Sequence, residues 1–137
     1  MRNNGVRKAQ AALEYMMIIG MVLVILMPMV ISIFQQIETV SRSRHAEIAA
    51  LRISSTASNI YAQGPGAKST INIFLPDGYS NMSYVSGNVI LIKVYIPGGF
   101  NDVVKISTAN LTGTLPADSG YKQITLEMLQ NGTVMVG

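Results

Sequence analysis

The chain has 137 residues, with ten Lys and Arg, seven Asp and Glu, and no Cys, which gives a formal net charge of +3. This length suits a single domain, and the lack of Cys excludes a disulfide scaffold and any thiolate metal or redox site. Three of the cations, Arg2, Arg7 and Lys8, lie in the first nine residues, so the remaining chain is neutral and gives no argument for nucleic-acid binding.

The longest uncharged stretch runs from residue 15 to residue 37. As a helix, its 23 residues extend about 34 Å, which is enough to cross a hydrocarbon core of about 30 Å. The N-terminal cations and the positive-inside tendency place the N-terminus in the cytoplasm and the C-terminal region outside. Pro28 is expected to bend or locally unwind this helix, because proline has no backbone N–H to donate.

A single carboxylate, that of Glu14, stands at the start of this apolar stretch. An ionised side chain in hydrocarbon costs about 2.5–3.5 kcal/mol even on lenient insertion scales, so Glu14 is expected to need a cationic partner. No cation follows it within the stretch. We therefore expect the partner to be a newly formed amino terminus.

The order of Ala9-Gln10, Glu14-Tyr15 and an uninterrupted apolar run resembles the class III signal of archaeal type IV pilins, in which a membrane peptidase cuts immediately before the Gln. The resemblance implies that residues 1–9 are a leader peptide and that cleavage falls between Ala9 and Gln10. It also implies that Glu14 meets the amino group of Gln10 on a neighbouring subunit during assembly.

The same resemblance implies a function: an extracellular filament, built from many copies of one subunit and serving surface adhesion. The expected partners are a prepilin peptidase, an assembly ATPase and a membrane platform protein. Before assembly the preprotein would wait in the cell membrane with its head outside. Such pilins are often glycoproteins.

Two other interpretations of the N-terminus stay open. A secretory signal peptide would be cut after its apolar core at a small-x-small site, but the nearest such triplet, Ser41-Arg42-Ser43, is remote and carries Arg. An uncleaved signal anchor would keep residues 1–9, with Glu14 in the first helical turn, where the helix dipole favours acids. In that case the protein is a membrane-anchored extracellular binding module whose β head meets a surface ligand.

Beyond residue 37 the helical pattern continues and becomes amphipathic. Apolar residues recur at helical steps at Ile37, Val40, Ile48 and Leu51. The sequence Gly-Pro-Gly at 64–66 is expected to end the helix. The predicted helix therefore covers 10–63, with an apolar part at 15–37 and an amphipathic part at 38–63, and a linker follows at 64–69.

Residues 70–137 are predicted to form a small head of short strands, because apolar and polar residues alternate between turn signals. The predicted runs are 71–75, 82–86, 90–96, 104–106, 111–115, 124–128 and 134–136. This spacing predicts about six or seven strands in an antiparallel β-sandwich or open barrel, packed against the lower helix. The predicted fold class is α+β, and its layout is similar to that of type IV pilins.

Three Asn-x-Ser/Thr sequons occur in the predicted head, at Asn81, Asn110 and Asn131. An Asn in an exposed loop is a suitable glycan acceptor, so each is a possible N-glycosylation site. For Asn131 a tight turn is an alternative explanation, because Asn-Gly is the strongest local signal for a two-residue hairpin.

The sequence shows no set of residues suited to catalysis. His45 has no second imidazole or thiolate at ligand spacing, and we interpret it as a surface residue. Asp77, Asp102 and Asp118 are each next to Gly, Asn or Ser, where turn chemistry explains them. No nucleophile–base–acid set or phosphate-binding loop is present, so we expect no enzyme activity, no cofactor and no metal site.

Overall fold

A computed structural model describes residues 3–80 and 83–137. One helix is followed by five strands: α1 (Asn3–Gln63), β1 (Lys68–Leu75), β2 (Tyr84–Ile96), β3 (Gly99–Gly113), β4 (Gly120–Met128) and β5 (Thr133–Val136). The predicted α+β class is thereby confirmed. The chain divides into two compact units, Met1–Ile37 and Glu38–Gly137.

Helix α1 ends at Gln63, where the Gly-Pro-Gly sequence begins. Gly64 and Gly66 have φ values of 91° and 88°, a conformation that residues with a Cβ rarely adopt. The N–H of Gly64 donates to the carbonyl oxygens of Ile60 and Tyr61 at 3.2 and 3.3 Å, so it satisfies carbonyls that the helix end leaves free. Strand β1 starts at Lys68, within the stretch predicted to be a linker.

The five strands form one sheet in the order β1-β4-β5-β3-β2. The pairings β1–β4, β4–β5 and β2–β3 are antiparallel, whereas β3 and β5 are parallel. The short strand β5 therefore lies in the middle of a mixed sheet. In place of a second layer of strands, the amphipathic part of α1 covers this sheet.

The sequence-based count of six or seven strands was wrong for the described residues, because two pairs of predicted runs each belong to one long strand. Residues 84–86 and 90–96 of two runs fall in β2, and residues 104–106 and 111–113 of two others fall in β3. Residue 82, where the second run was predicted to begin, lies outside the described residues. Gly87 pairs with Leu111 and Val89 with Ile106, so Asn88 alone lies opposite residues 107–110. Gly87 and Asn88, which lie between the two predicted runs, are thus part of a bulge inside a continuous hairpin.

The core of the head lies between the sheet and one face of α1. The buried helical residues recur at steps of three and four, and most are small: Ala46, Ala49, Ala50, Ile53, Ala57 and Ile60. Larger side chains from the strands fill the space opposite, among them Ile73, Leu75, Ile90, Ile92, Leu111, Ile124 and Leu126. Alanine has no long side chain to hold the two layers apart, so the helix approaches the sheet closely.

The apolar positions that the sequence suggested for this part of α1 are on its other face. Val40, Ile48 and Leu51 are 55%, 49% and 55% exposed. At about 100° of rotation per residue, these three side chains lie opposite the buried alanine stripe. The helix therefore has two apolar faces in this region, and the head covers the one with the smaller residues.

Polar contacts along β3 hold α1 on the sheet. Asn101 Nδ2 donates to Ser43 Oγ at 2.8 Å, and Lys105 Nζ donates to Glu47 Oε1 at 2.9 Å. The hydrogen bond and the charge of Lys105 lower the pKa of Glu47 below its ordinary value. These contacts lie at the rim of the core, where water can reach them, so they orient the helix more than they stabilise it.

Both outer strands of the sheet have contacts on their free sides. The N–H of Tyr95 on β2 donates to Gly78 O at 2.7 Å, and the N–H of Lys93 donates to Ser83 Oγ at 2.9 Å. On β1, the carbonyl oxygen of Asn72 accepts a hydrogen bond from Arg52 Nη1 at 3.0 Å. Each edge strand thus has part of its backbone satisfied by other residues of the same unit.

Gly113 at the end of β3 has no room for a side chain. Its φ is 140°, and a Cβ there would lie 1.9 Å from Val136 O on β5. We expect Gly113→Ala to lower the free energy of unfolding by about 3 kcal/mol or more, because β5 would have to move. Urea unfolding of the protein in detergent micelles, followed by tyrosine fluorescence, measures this loss.

Gly87→Ala is the control, because Gly87 has a φ of 61° and no atom within 4 Å of an added Cβ. It should cost only about 1–2 kcal/mol, the backbone penalty alone. Equal losses in the two variants would contradict the assignment of Gly113 to close packing against β5.

Candidate membrane-spanning and assembly segment

Residues 15–37 of α1 are exposed along their whole length. The exposed fractions of their large apolar side chains lie between 48% and 80%. Among the described residues, α1 is the one helix long and apolar enough to cross a membrane, and none of its most apolar stretch is buried. The structure is therefore compatible with insertion of this segment into a membrane.

This segment cannot bury its own surface. Each large apolar side chain gains about 1.5–3 kcal/mol when it is fully removed from water, and a lone helix leaves most of that gain unrealised. A helix that is apolar on every face is stable only inside a membrane or a core of other helices. Residues 15–37 therefore need lipid or protein around them, since none of the described side chains before residue 38 is buried.

The predicted cleavage and assembly residues lie on the same helix, just before the apolar segment. Ala9, Gln10 and Glu14 are all helical and exposed. Among the side chains that the structure describes, none forms an ion pair or hydrogen bond with the Glu14 carboxylate. The pairing of Glu14 with the amino group of Gln10 on a neighbouring subunit stays a prediction.

Pro28 lies inside α1, and the helix continues through it. Because proline has no N–H, the carbonyl oxygen of Val24 one turn earlier lacks its usual helical donor. In a membrane, such a group is tolerated where neighbouring helices cover it. The local unwinding predicted at Pro28 is absent, whereas the bend stays a prediction.

The sequons lie in different surroundings. Asn110 is exposed, but it is in strand β3 and pairs with Thr133 rather than lying in a loop. Asn131 is exposed in the turn between β4 and β5, and its Oδ1 accepts a hydrogen bond from the N–H of Thr133 at 3.1 Å. Asn81 lies outside the described residues. Glycan attachment at all three stays a prediction.

The connection at Asn131 is longer than the two-residue hairpin that its sequence predicted. Strand β4 ends at Met128 and β5 begins at Thr133, so four residues connect them. The N–H of Leu129 donates to Thr133 O at 2.9 Å, and the N–H of Gly132 donates to Leu129 O at 3.2 Å. Gly132 has a φ of 83°, which is why glycine is favoured there.

The predicted turn aspartates separate into two kinds. Asp102 lies in β3 and pairs with Lys93 Nζ at 2.9 Å, which corrects its assignment to a turn. Asp118 lies 3.7 Å from Lys122 Nζ near the start of β4, and Asp77 follows β1 in a turn. Within residues 3–80 and 83–137, no group of three or more His, Asp or Glu could hold a metal ion.

A groove runs between α1 and the strands β1 and β4, within the unit Glu38–Gly137. It has a volume of about 450 Å³ and is lined by His45, Ile48, Ala49, Arg52, Asn72, Phe74 and Tyr121. His45 is exposed, as the sequence suggested, and its ring packs edge-on against Phe74 at a centroid distance of 5.0 Å. No local sequence pattern indicates this groove, because its residues come from three separate segments.

Comparisons with protein-family models, with curated proteins and with solved structures gave no match for this chain. The candidate site therefore rests on the exposure, charge and spacing of the chain's own residues. These features point to the apolar segment at 15–37, with the unpaired carboxylate of Glu14 at its start.

A charge in the middle of the apolar segment should prevent membrane insertion. We expect Leu26→Asp to disfavour insertion by about 3 kcal/mol, because an ionised carboxylate would be placed near the bilayer centre. The fraction of protein that stays in the membrane pellet after alkaline extraction measures the effect. Leu51→Asp is the matched control, since Leu51 is 55% exposed on α1 but outside the segment. Full retention of Leu26→Asp would contradict a transmembrane role for residues 15–37.

Proposed function

We propose that this protein is the structural subunit of an extracellular filament similar to archaeal type IV pili. One observation carries the proposal: residues 15–37 form an uncharged helix whose large apolar side chains are at least 48% exposed. Such a helix needs lipid before assembly and other helices afterwards. Bundling with copies of itself supplies the second environment.

A second feature favours a filament over a simple membrane anchor. The exposed side chains of Val40 and Leu51 lie beyond the segment that a bilayer covers. In a simple anchor, large apolar side chains at these positions would face water, which is unfavourable. In a bundle, the same face packs against neighbouring helices. The contact between helices then extends past residue 37 into the amphipathic part of α1.

Glu14 gives the bundle its axial register in this proposal. Removal of residues 1–9 creates a charged amino group on Gln10. An unpaired carboxylate among apolar helices is costly, and pairing it with that amino group on the next subunit removes most of the cost. Because only one axial offset between subunits brings the two charges together, the pair selects a single stacking distance.

The head, residues 38–137, would form the outer surface of the filament and serve surface adhesion. In this proposal a prepilin peptidase removes the leader outside the bilayer core, and an assembly ATPase with a membrane platform protein moves subunits from the membrane into the fibre. Glycans at exposed sequons such as Asn110 would lie on this outer surface. The protein acts by packing and binding rather than by catalysis.

The mature N-terminus tests the proposal directly. We expect protein recovered from sheared surface fibres to begin at Gln10 by mass spectrometry, and electron microscopy of the same material to show thin filaments. A membrane-bound protein that keeps residues 1–9 and forms no fibres would contradict the proposal. That result would instead support the anchored binding module, which the self-contained fold of Glu38–Gly137 also allows.

Removing the carboxylate of Glu14 should separate processing from assembly. We expect Glu14→Ala to be cleaved and inserted normally but to yield at least about tenfold fewer filaments, because the amino group of Gln10 loses its partner. Glu14→Asp keeps the charge and should assemble better than the alanine variant. Quantitative immunoblotting of sheared fibres against cell-bound subunit gives the ratio. Normal filament yield from Glu14→Ala would exclude the carboxylate from the mechanism.

A further inference from the structure

We propose that the groove between α1, β1 and β4 binds an acidic sugar, such as a uronate residue of an extracellular polysaccharide. This inference deepens the proposed surface adhesion and rests on it for the external position of the head. The groove opens at the surface, with a volume of about 450 Å³. That is within the range of sites that hold one or two sugar rings.

The charge of the groove selects an anion. All four lysines of the described head residues and Arg42 are paired with carboxylates, in five ion pairs. Arg52 has no carboxylate partner among the described residues, and no Asp or Glu lines the groove. Arg44, outside the groove, likewise forms none of these ion pairs, so it is the position of Arg52 beside a groove without acids that favours an anionic ligand.

Arg52 is also held in a suitable orientation. Its Nη1 donates to Asn72 O at 3.0 Å, which fixes the guanidinium against the edge of β1. One of five N–H donors is used in this way, and the rest are free to bind a planar carboxylate through two parallel hydrogen bonds. The side-chain amide of Asn72 also lines the groove and can bind a hydroxyl group.

An aromatic row forms the other wall. The ring centroids of His45 and Phe74 are 5.0 Å apart, and those of Phe74 and Tyr121 are 4.9 Å apart. Tyr121 is 84% exposed, the largest exposed fraction among the large apolar side chains of the described residues. A sugar ring has an apolar C–H face that packs against the electron-rich face of such a ring.

The combination of these two walls favours an acidic sugar over other anions. A free phosphate would use Arg52 but leave Tyr121 exposed to water. A neutral sugar would cover Tyr121 but leave the guanidinium without a counter-ion. A pyranose that carries a carboxylate meets both requirements in one ligand.

The test uses the full-length protein in non-ionic detergent micelles, with trigalacturonic acid and its methyl ester as probes. The two probes have the same rings, but the ester lacks the charge. We expect calorimetric titration to show that the acid binds at least about tenfold more tightly than the ester, because only the acid forms a charge-assisted pair with Arg52. Equal binding of the two probes, or no binding of either, would overturn the proposal.

Two variants locate the site. Arg52→Met keeps most of the side-chain volume and should abolish the preference for the acid. Tyr121→Ala should lower the affinity for both probes by at least about fivefold. The controls are Arg44→Met, an exposed arginine outside the groove, and Tyr95→Ala, an exposed tyrosine on β2. Circular dichroism checks that all four fold. Unchanged binding in Arg52→Met and Tyr121→Ala would overturn the assignment to this groove.

The same experiment separates this inference from the filament proposal. Binding is measured on dispersed subunits, so it does not require assembly. Sugar binding by a protein that forms no filaments would contradict the filament proposal alone. Filaments whose subunits bind no sugar would contradict this inference alone. If sedimentation shows that the groove instead joins two heads, and Arg52→Met dissociates them while no sugar binds, the groove is a self-contact and the inference is wrong.

Discussion

An uncharged helix of 23 residues has no face suited to water, and residues 15–37 of α1 are such a helix. Folding of the head does not relieve this exposure, because the head's buried residues come from the part of the chain after residue 37. The first part of the chain is therefore incomplete without lipid or further helices.

The amphipathic part of α1 divides its apolar residues between two faces. The face that carries Ala46, Ala50 and Ala57 is buried against the sheet, whereas Val40 and Leu51 are more than half exposed. The small side chains allow the helix to pack closely against the sheet. The large ones stay exposed on the other face, where burial against a second surface would be favourable. The same helix thus contributes to the core of the folded head and presents an exposed apolar face.

The strong local signals in the sequence predicted the coarse fold. They did not predict which strands pair with each other. The apolar run, the Gly-Pro-Gly helix end and the alternation in 71–75 each depend on neighbouring residues, so the α+β class followed from them. The parallel pairing of β3 with β5 and the bulge at Asn88 depend on residues far apart in sequence. The groove beside Arg52 needs three segments in place, so no local pattern indicated it.

The contacts on the outer strands would have a consequence in the proposed filament. Many copies of one sheet held side by side would reach a very high local concentration, at which open strands join into cross-β aggregates. Here Gly78 and Ser83 occupy backbone groups of β2, and Arg52 occupies a carbonyl group of β1. In the proposed filament, these contacts would oppose strand-to-strand joining of neighbouring heads, and ordered growth would depend on the helices.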